Sequence, residues 1–224
     1  MAISEEIEKS RPYDETLAEE LHDACWDGDT ARVSSLLERG ADPNQNTGRD
    51  ISYGGEMPLC AACRSGNLEC VELMVKAGAI INCRGFDAST PLIDARYGKH
   101  VDIIRYLLAH GADPTIPDSW GIRPLRGLDP THGDVEDWEI ICLLVEHGAD
   151  VNMNMHMICD GYCTDKSMIW YVCNVGMVDR VRYLLEHKAD ATKPDLFGVT
   201  PMAAARAKGH MDCVSVLQEY GVEE

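Results

Sequence analysis

The residues best suited to chemistry lie close together. The stretch Val151 to Trp170, VNMNMHMICDGYCTDKSMIW, holds four of the ten methionines, the imidazole of His156, and two cysteines, Cys159 and Cys163, in a Cys-x3-Cys spacing. Thiolates, thioethers and imidazole are soft ligands suited to zinc or copper(I). Asp160-Gly161 between the cysteines is a strong turn signal, so the two thiolates can converge. Met153, Met155 or Met157 would complete the set. Against this, the spacing matches no established zinc signature and fixes no fourth ligand. Methionine is also an adaptable contact residue at binding surfaces. The stretch therefore reads first as a contact finger for a protein or peptide. A soft-metal site (zinc or copper) at His156, Cys159 and Cys163 is the alternative.

Other constellations point away from catalysis. The chain contains no P-loop, no G-x-S-x-G, no H-E-x-x-H and no Rossmann glycine fingerprint. Carboxylate pairs such as Glu136 and Asp137 are what 38 acidic residues produce anyway. No catalytic residue is assigned, no cofactor is implied, and the chain is expected not to be an enzyme.

The formal charge of −18 over 224 residues excludes nucleic acid or an anionic membrane as the main partner, because phosphate contacts need clustered Lys and Arg. It suits a basic partner, whose encounter it would accelerate. No apolar run reaches 18 residues, so no membrane span is expected. Ten cysteines behind the acidic start MAISEEIEKSRPYDETLAEE read as reduced thiols of the cytoplasm or nucleus.

The elements that must position these residues repeat along the chain. LLERGADPN (Leu36 to Asn44) recurs as MVKAGAIIN, LLAHGADPT, LLVEHGADVN and LLEHKADAT, and ends as a truncated LQEYGVEE. MPLCAAC, TPLIDAR, RPLRGLD and TPMAAAR precede the later copies. The anchors Leu21, Leu59, Leu92, Leu125, Ile169 and Met202 are spaced by 38, 33, 33, 44 and 33 residues. A 33-residue unit with two insertions is the signature of a solenoid.

Thr-Pro opens a helix at no hydrogen-bond cost, since proline at its first turn removes only an orphan donor. VDIIRYLLAHG is an amphipathic second helix closed by Gly111. One such unit cannot bury its own apolar face, so the units must stack. Repeat four breaks the pattern: Gly127 and Pro130 fall where its first helix should run, and proline there disrupts a helix. A further insertion enlarges the following finger around Asp160-Gly161. Another enlarges the finger Gly48 to Glu56, where Tyr53 is a candidate contact.

These motifs resemble the ankyrin repeat, from about Leu17 to the end of the chain. The resemblance implies an all-α fold: an ankyrin-repeat solenoid of stacked helix-turn-helix units with β-hairpin fingers. Residues 1–16 would form an acidic leader with a capping helix, and 17–224 about six repeats, the last a C-terminal cap. It also implies a non-enzymatic, monomeric interaction module, a scaffold, adaptor or inhibitor, that binds a protein or peptide on its concave face and fingers. By slot, the partner-binding residues are Trp26, Arg64, Phe86, Tyr97, Trp120, Ile122, Asn174, Leu196, Phe197 and Val199. His22 falls where the family's histidine bonds between units. His110, His147 and His187 occupy structural slots, and so do most cysteines. Asn44 and Asn152, each eight residues after a leucine, fit the asparagine that an oxygen-dependent hydroxylase modifies in such repeats.

Overall fold

The computed structural model describes residues 15–47, 55–131, 135–159 and 162–223, with backbone alone at 15, 155–159 and 162–165. Helices pair along the chain: α1 (Glu15–Asp27) with α2 (Thr30–Glu38), α3 (Pro58–Ser65) with α4 (Leu68–Lys76), and α5 (Pro91–Tyr97) with α6 (Val101–Ala109). After α7 (Val135–Glu146) come a β-ribbon, β1 (Asn154–Cys159) and β2 (Tyr162–Ser167), and then α8 (Met168–Val175), α9 (Val178–Glu186), α10 (Pro201–Lys208) and α11 (Met211–Glu219). Two compact units result: Met1–Ile103 with Asp118–Trp120, and Ile104–Pro117 with Gly121–Glu224. Residues 1–14 of the acidic leader and the finger tip at Tyr53 lie outside the described residues, and positions 15 and 16 belong to α1.

Local chemistry sets the helix starts. Thr90, Thr200 and Ser167 accept the amides of Ile93, Ala203 and Trp170, and prolines begin α3, α5 and α10. Each cap of this kind is worth about 1 kcal/mol. In unit 1, α1 packs on α3, α3 on α5 and α2 on α4, burying Leu21, Leu36, Leu59, Met74 and Leu92. In unit 2, α8 packs on α10 and α9 on α11, around Ile169, Val172, Leu184 and Leu217. A fully buried leucine contributes roughly 1.5–3 kcal/mol.

Stacking leaves signatures at glycine. Gly66 ends α3 at φ +80°, and a Cβ there would lie 2.5 Å from the His100 ring of the next repeat. Gly176 stands the same way over His210. Asparagine bridges recur as well. Asn44 donates to the Gly78 carbonyl (2.9 Å) and accepts from Ile80 N–H (2.7 Å). Asn152 donates to the Lys188 carbonyl and accepts from Asp190 N–H. His110, His147 and His187 each bring Nδ1 within 2.9 Å of the carbonyl four residues back, which is the structural role their slot implied.

Two departures stand out. Among the described residues, only the enlarged finger 154–167 forms a β-ladder, in a two-stranded sheet. The short fingers are turns, because a five-residue closure such as Asp195 to Val199 leaves no length for a ladder. Repeat four has no helix over 121–131. Its chain turns at Arg123–Arg126 and still buries Leu125 and Leu128. Asp129 accepts the Thr131 amide and hydroxyl, and donates its own amide to Asp137 of α7. Arg180 of α9 donates to the Pro130 carbonyl and lies 4.7 Å over the Trp138 ring. Side-chain and tertiary bonds thus replace the helical ones that Gly127 and Pro130 forbid.

Candidate partner-binding surfaces

The finger tips come from one turn chemistry. In Asp118-Ser-Trp-Gly the Asp118 carboxylate accepts the Trp120 amide at 2.8 Å, and Gly121 takes φ +74°. In Asp195-Leu-Phe-Gly the Asp195 carboxylate accepts the amides of Phe197 and Val199, both at 2.9 Å, and Gly198 takes φ +78°. An aspartate that caps its own turn holds the third residue outward. Trp120 is accordingly 72% exposed, Leu196 71% and Phe197 86%. In the preceding finger Gly85 replaces the aspartate. There Asp87 and Ala88 adopt φ +52° and +54°, Phe86 is 40% exposed, and the Asp87 carbonyl accepts the Ser119 amide of the next finger. Ile122 and Val199 are half-buried behind their tips, and the Val199 carbonyl accepts the Trp170 indole N–H at 3.1 Å.

The ends of the first helices present a second surface. In unit 1, Trp26 and Tyr97 are about half exposed, and Arg64 is partly covered between carboxylates. Arg64 donates to Glu56 at 2.7 Å and to Asp94 at 2.8 Å, and its guanidinium lies 5.5 Å from the Trp26 ring. Asp94, buried in α5, also accepts the Ser89 hydroxyl. His22, buried beside Trp26, has Nε2 3.1 Å from Glu56 and Nδ1 3.3 Å from Asp23. Burial opposes protonation of His22, but the hydrogen bonds and charges of Glu56 and Asp23 outweigh it and raise its pKa. The hydrogen bond to His22, helped by Arg64, lowers that of Glu56. Arg96, buried in a slot usually small, lies 4.5 Å over the Tyr97 ring.

Unit 2 fills the same slots differently. Asn174 is half-buried and Ala207 and Lys208 are exposed. Trp170 is buried, with Lys166 Nζ 3.4 Å from its ring and 3.7 Å from Asp195.

The sequence patterns singled out Trp26, Arg64 and Tyr97 but not Glu56 and Asp94, which fix Arg64. A carboxylate inside the small, apolar run TPLIDAR was the available signal, since a buried charge needs a partner.

The side chains of His156, Cys159 and Cys163, named above as metal ligands, lie outside those described. The ladder pairs Cys159 with Tyr162 and Cys163 with Ile158, so the cysteines are not register partners. Among the described residues no group of three or more His, Cys, Asp or Glu is arranged to hold a metal. Cys25 and Cys173 are buried and their thiols pushed up to about 12, chiefly by that burial. Cys60 and Cys83 are buried 3.9 Å apart, and Cys60 is raised by its bond to Cys83 and by burial. Such thiols pack as small hydrophobes and are poor nucleophiles. No helix among the described residues is long and apolar enough to cross a membrane.

Comparisons with known proteins agree with this geometry. Palmitoyltransferase AKR1 of Lachancea kluyveri is 24% identical over the full chain, which spans 30% of that protein. The probable E3 ubiquitin-protein ligase XBOS33 of Oryza sativa subsp. japonica is 26% identical over 91% of the chain, which spans 38% of it. A crystal structure of an ankyrin repeat domain from Acinetobacter baumannii AYE superimposes with a TM-score of 0.67, at 24% identity, covering 91% of this chain and 98% of that one. That likeness shows the fold. Ankyrin repeats are in general protein–protein interaction modules, and their fold is typically non-enzymatic. The pattern described as "Ankyrin repeats (3 copies)" matches residues 21–118 and 134–224, most of the sequence, and the chain belongs to the ankyrin repeat family.

Proposed function

We propose that this chain is a non-enzymatic docking module whose partner is a protein or peptide. The contacts are the finger tips Phe86, Trp120, Leu196 and Phe197, backed by Ile122 and Val199, and the first-helix ends Trp26, Arg64, Tyr97 and Asn174. One observation carries the reading: two self-capped turns hold a tryptophan and a phenylalanine 72% and 86% exposed. Large aromatics kept in water by a dedicated turn are the side chains that dominate binding energy once a partner buries them. The excess of carboxylates favours a basic partner, and the buried free thiols suit a reducing compartment such as cytoplasm or nucleus. An adaptor or inhibitor that acts by occupying its partner's surface fits these features.

The test is capture of cross-linked partners by the wild-type chain and by a Trp120→Ala, Phe197→Ala double variant. Tip truncations should leave stability within about 0.5 kcal/mol while specific partners are lost. Equal recovery of the same partners would overturn the assignment of the fingers.

A further inference from the structure

Of the eight cysteines described, only Cys60 of α3 and Cys83 bring their sulfurs into contact, 3.9 Å apart. Both stand in slots that other repeats fill freely. One residue after the anchor come His22, Cys60, Ile93 and Trp170, and 24 after it Gln45, Cys83, Ile116 and Lys193. In repeat three isoleucines fill both slots, so packing there needs no sulfur. Cys60 is fully buried, while Cys83 keeps 6% of its surface open to water. The meeting of two thiols at these slots belongs to repeat two alone among those four.

A proton acceptor lies beside them. The buried Asp94 carboxylate is near enough to Cys60 for the thiol to help stabilise its charge. Asp94 Oδ1 holds Arg64 and Ser89, whereas Oδ2 has no partner at hydrogen-bond distance. Burial raises the Asp94 pKa despite these partners, which makes the carboxylate a better base. The Phe86 finger starts on the same sulfur, since a Cβ at Gly85 would lie 2.9 Å from Cys60 Sγ. Gly85 N–H closes that finger onto the Ser89 carbonyl, with Asp87 and Ala88 at positive φ between them.

We propose that Cys60 and Cys83 are a modification site that hydrogen peroxide closes to a disulfide, fastening the base of the Phe86 finger to α3. The Cys83 sulfur, at the rim, attacks a peroxide oxygen. The O–O bond breaks, and the hydroxide released takes the thiol proton as water, leaving Cys83 a sulfenic acid. The Cys60 sulfur then attacks Cys83 while Asp94 takes the Cys60 proton. The S–O bond breaks, and the departing hydroxide recovers that proton as a second water. Each sulfur gives up one electron and the peroxide takes both. The sulfurs close from 3.9 Å to about 2.05 Å. Burial makes Cys60 a poor nucleophile unaided, so the step is slow and depends on Asp94. A thiol already in contact diverts Cys83 from the further oxidation open to a lone sulfenic acid. None of this depends on the docking reading, and either can fail alone.

The test exposes the full chain, reduced and freed of reductant, to hydrogen peroxide without denaturant, followed by mass spectrometry of the unreduced peptides. The expected product has lost two hydrogens, carries a Cys60–Cys83 linkage and reverts with dithiothreitol. Cys60→Ala should stop at the Cys83 sulfenic acid, trapped with dimedone, and Cys83→Ala should leave Cys60 a thiol. Alanine keeps each slot small and apolar. Asp94→Asn should slow closure at least about tenfold. Linkage that forms only in urea, linkage spread over other cysteine pairs, or Cys83 driven to sulfinic acid with Cys60 still a thiol would overturn the inference. An unchanged rate in Asp94→Asn would remove the proton acceptor from it.

Discussion

Unit 1 and unit 2 use equivalent slots in opposite ways. In unit 1 the position after the anchor leucine is His22, and the helix ends carry Trp26, Arg64 and Tyr97, tied back through Glu56 and Asp94. In unit 2 the same position after the anchor is Trp170, turned inward and capped by Lys166, and the following helix ends are the plain Asn174 and Ala207. Both units expose apolar tips, Phe86 and Trp120 in unit 1 and Leu196 and Phe197 in unit 2, so the difference lies at the first-helix ends, where unit 2 exposes only Val175 as a large apolar group. Stacking constrains the buried slots of both units alike and leaves their surface slots free to diverge.

The largest expected effect probes what the units share. Gly66→Ala and Gly176→Ala each force a Cβ to within 2.5 Å of a histidine ring at positive φ. Each should cost about 2–4 kcal/mol from strain and overpacking, read as a shift in urea midpoint. If one substitution is tolerated and the other is not, the stacking geometry is not common to both units.

Charge comes next, and there the units should differ. Arg64→Ala leaves buried Asp94 with only the Ser89 hydroxyl and the Cys60 thiol as side-chain donors, and should cost about 2 kcal/mol. Lys166→Ala should cost less than about 1 kcal/mol, because Asp195 keeps the amides of Phe197 and Val199. Equal losses in thermal unfolding would contradict the braced-versus-capped contrast.

The smallest effect is pH-dependent and confined to unit 1. His22 has its folded pKa raised above 6.5 by Glu56 and Asp23 despite burial. Its stabilisation is therefore whole below that value and fades as pH rises through the raised one. Glu56 is lowered from 4.5, so its contribution is whole above 4.5 and fades as pH falls through the lowered value. Both act together between 4.5 and 6.5. Solvent screening limits the amplitude to about 1 kcal/mol. Denaturation midpoints of wild type and His22→Gln should converge above the raised pKa; a constant gap across pH would reject the ion pair.

Much of this was legible in residue order. The anchors at Leu21, Leu59, Leu92, Ile169 and Met202 each fall in or at the start of a first helix, and the disruption expected at Gly127 and Pro130 is present. The tips were legible through their repeat slots; the aspartate that caps the turn at Trp120 and Phe197 emerged only in the structure. The ladder at 154–167 was less legible. Hairpins were expected at every finger, and length alone allowed one at the enlarged one.

Within single repeats, then, the sequence by itself determined the fold: caps, prolines and glycines act over one to four residues, and apolar spacing selects the buried face. Only the tertiary structure decided which charges meet. Glu56 reaches His22 across 34 positions, Arg64 reaches Asp94 across 30, and Arg180 takes the Pro130 carbonyl across 50. Such pairs depend on stacking of separate elements, and no local pattern encodes the partner of a long, flexible side chain.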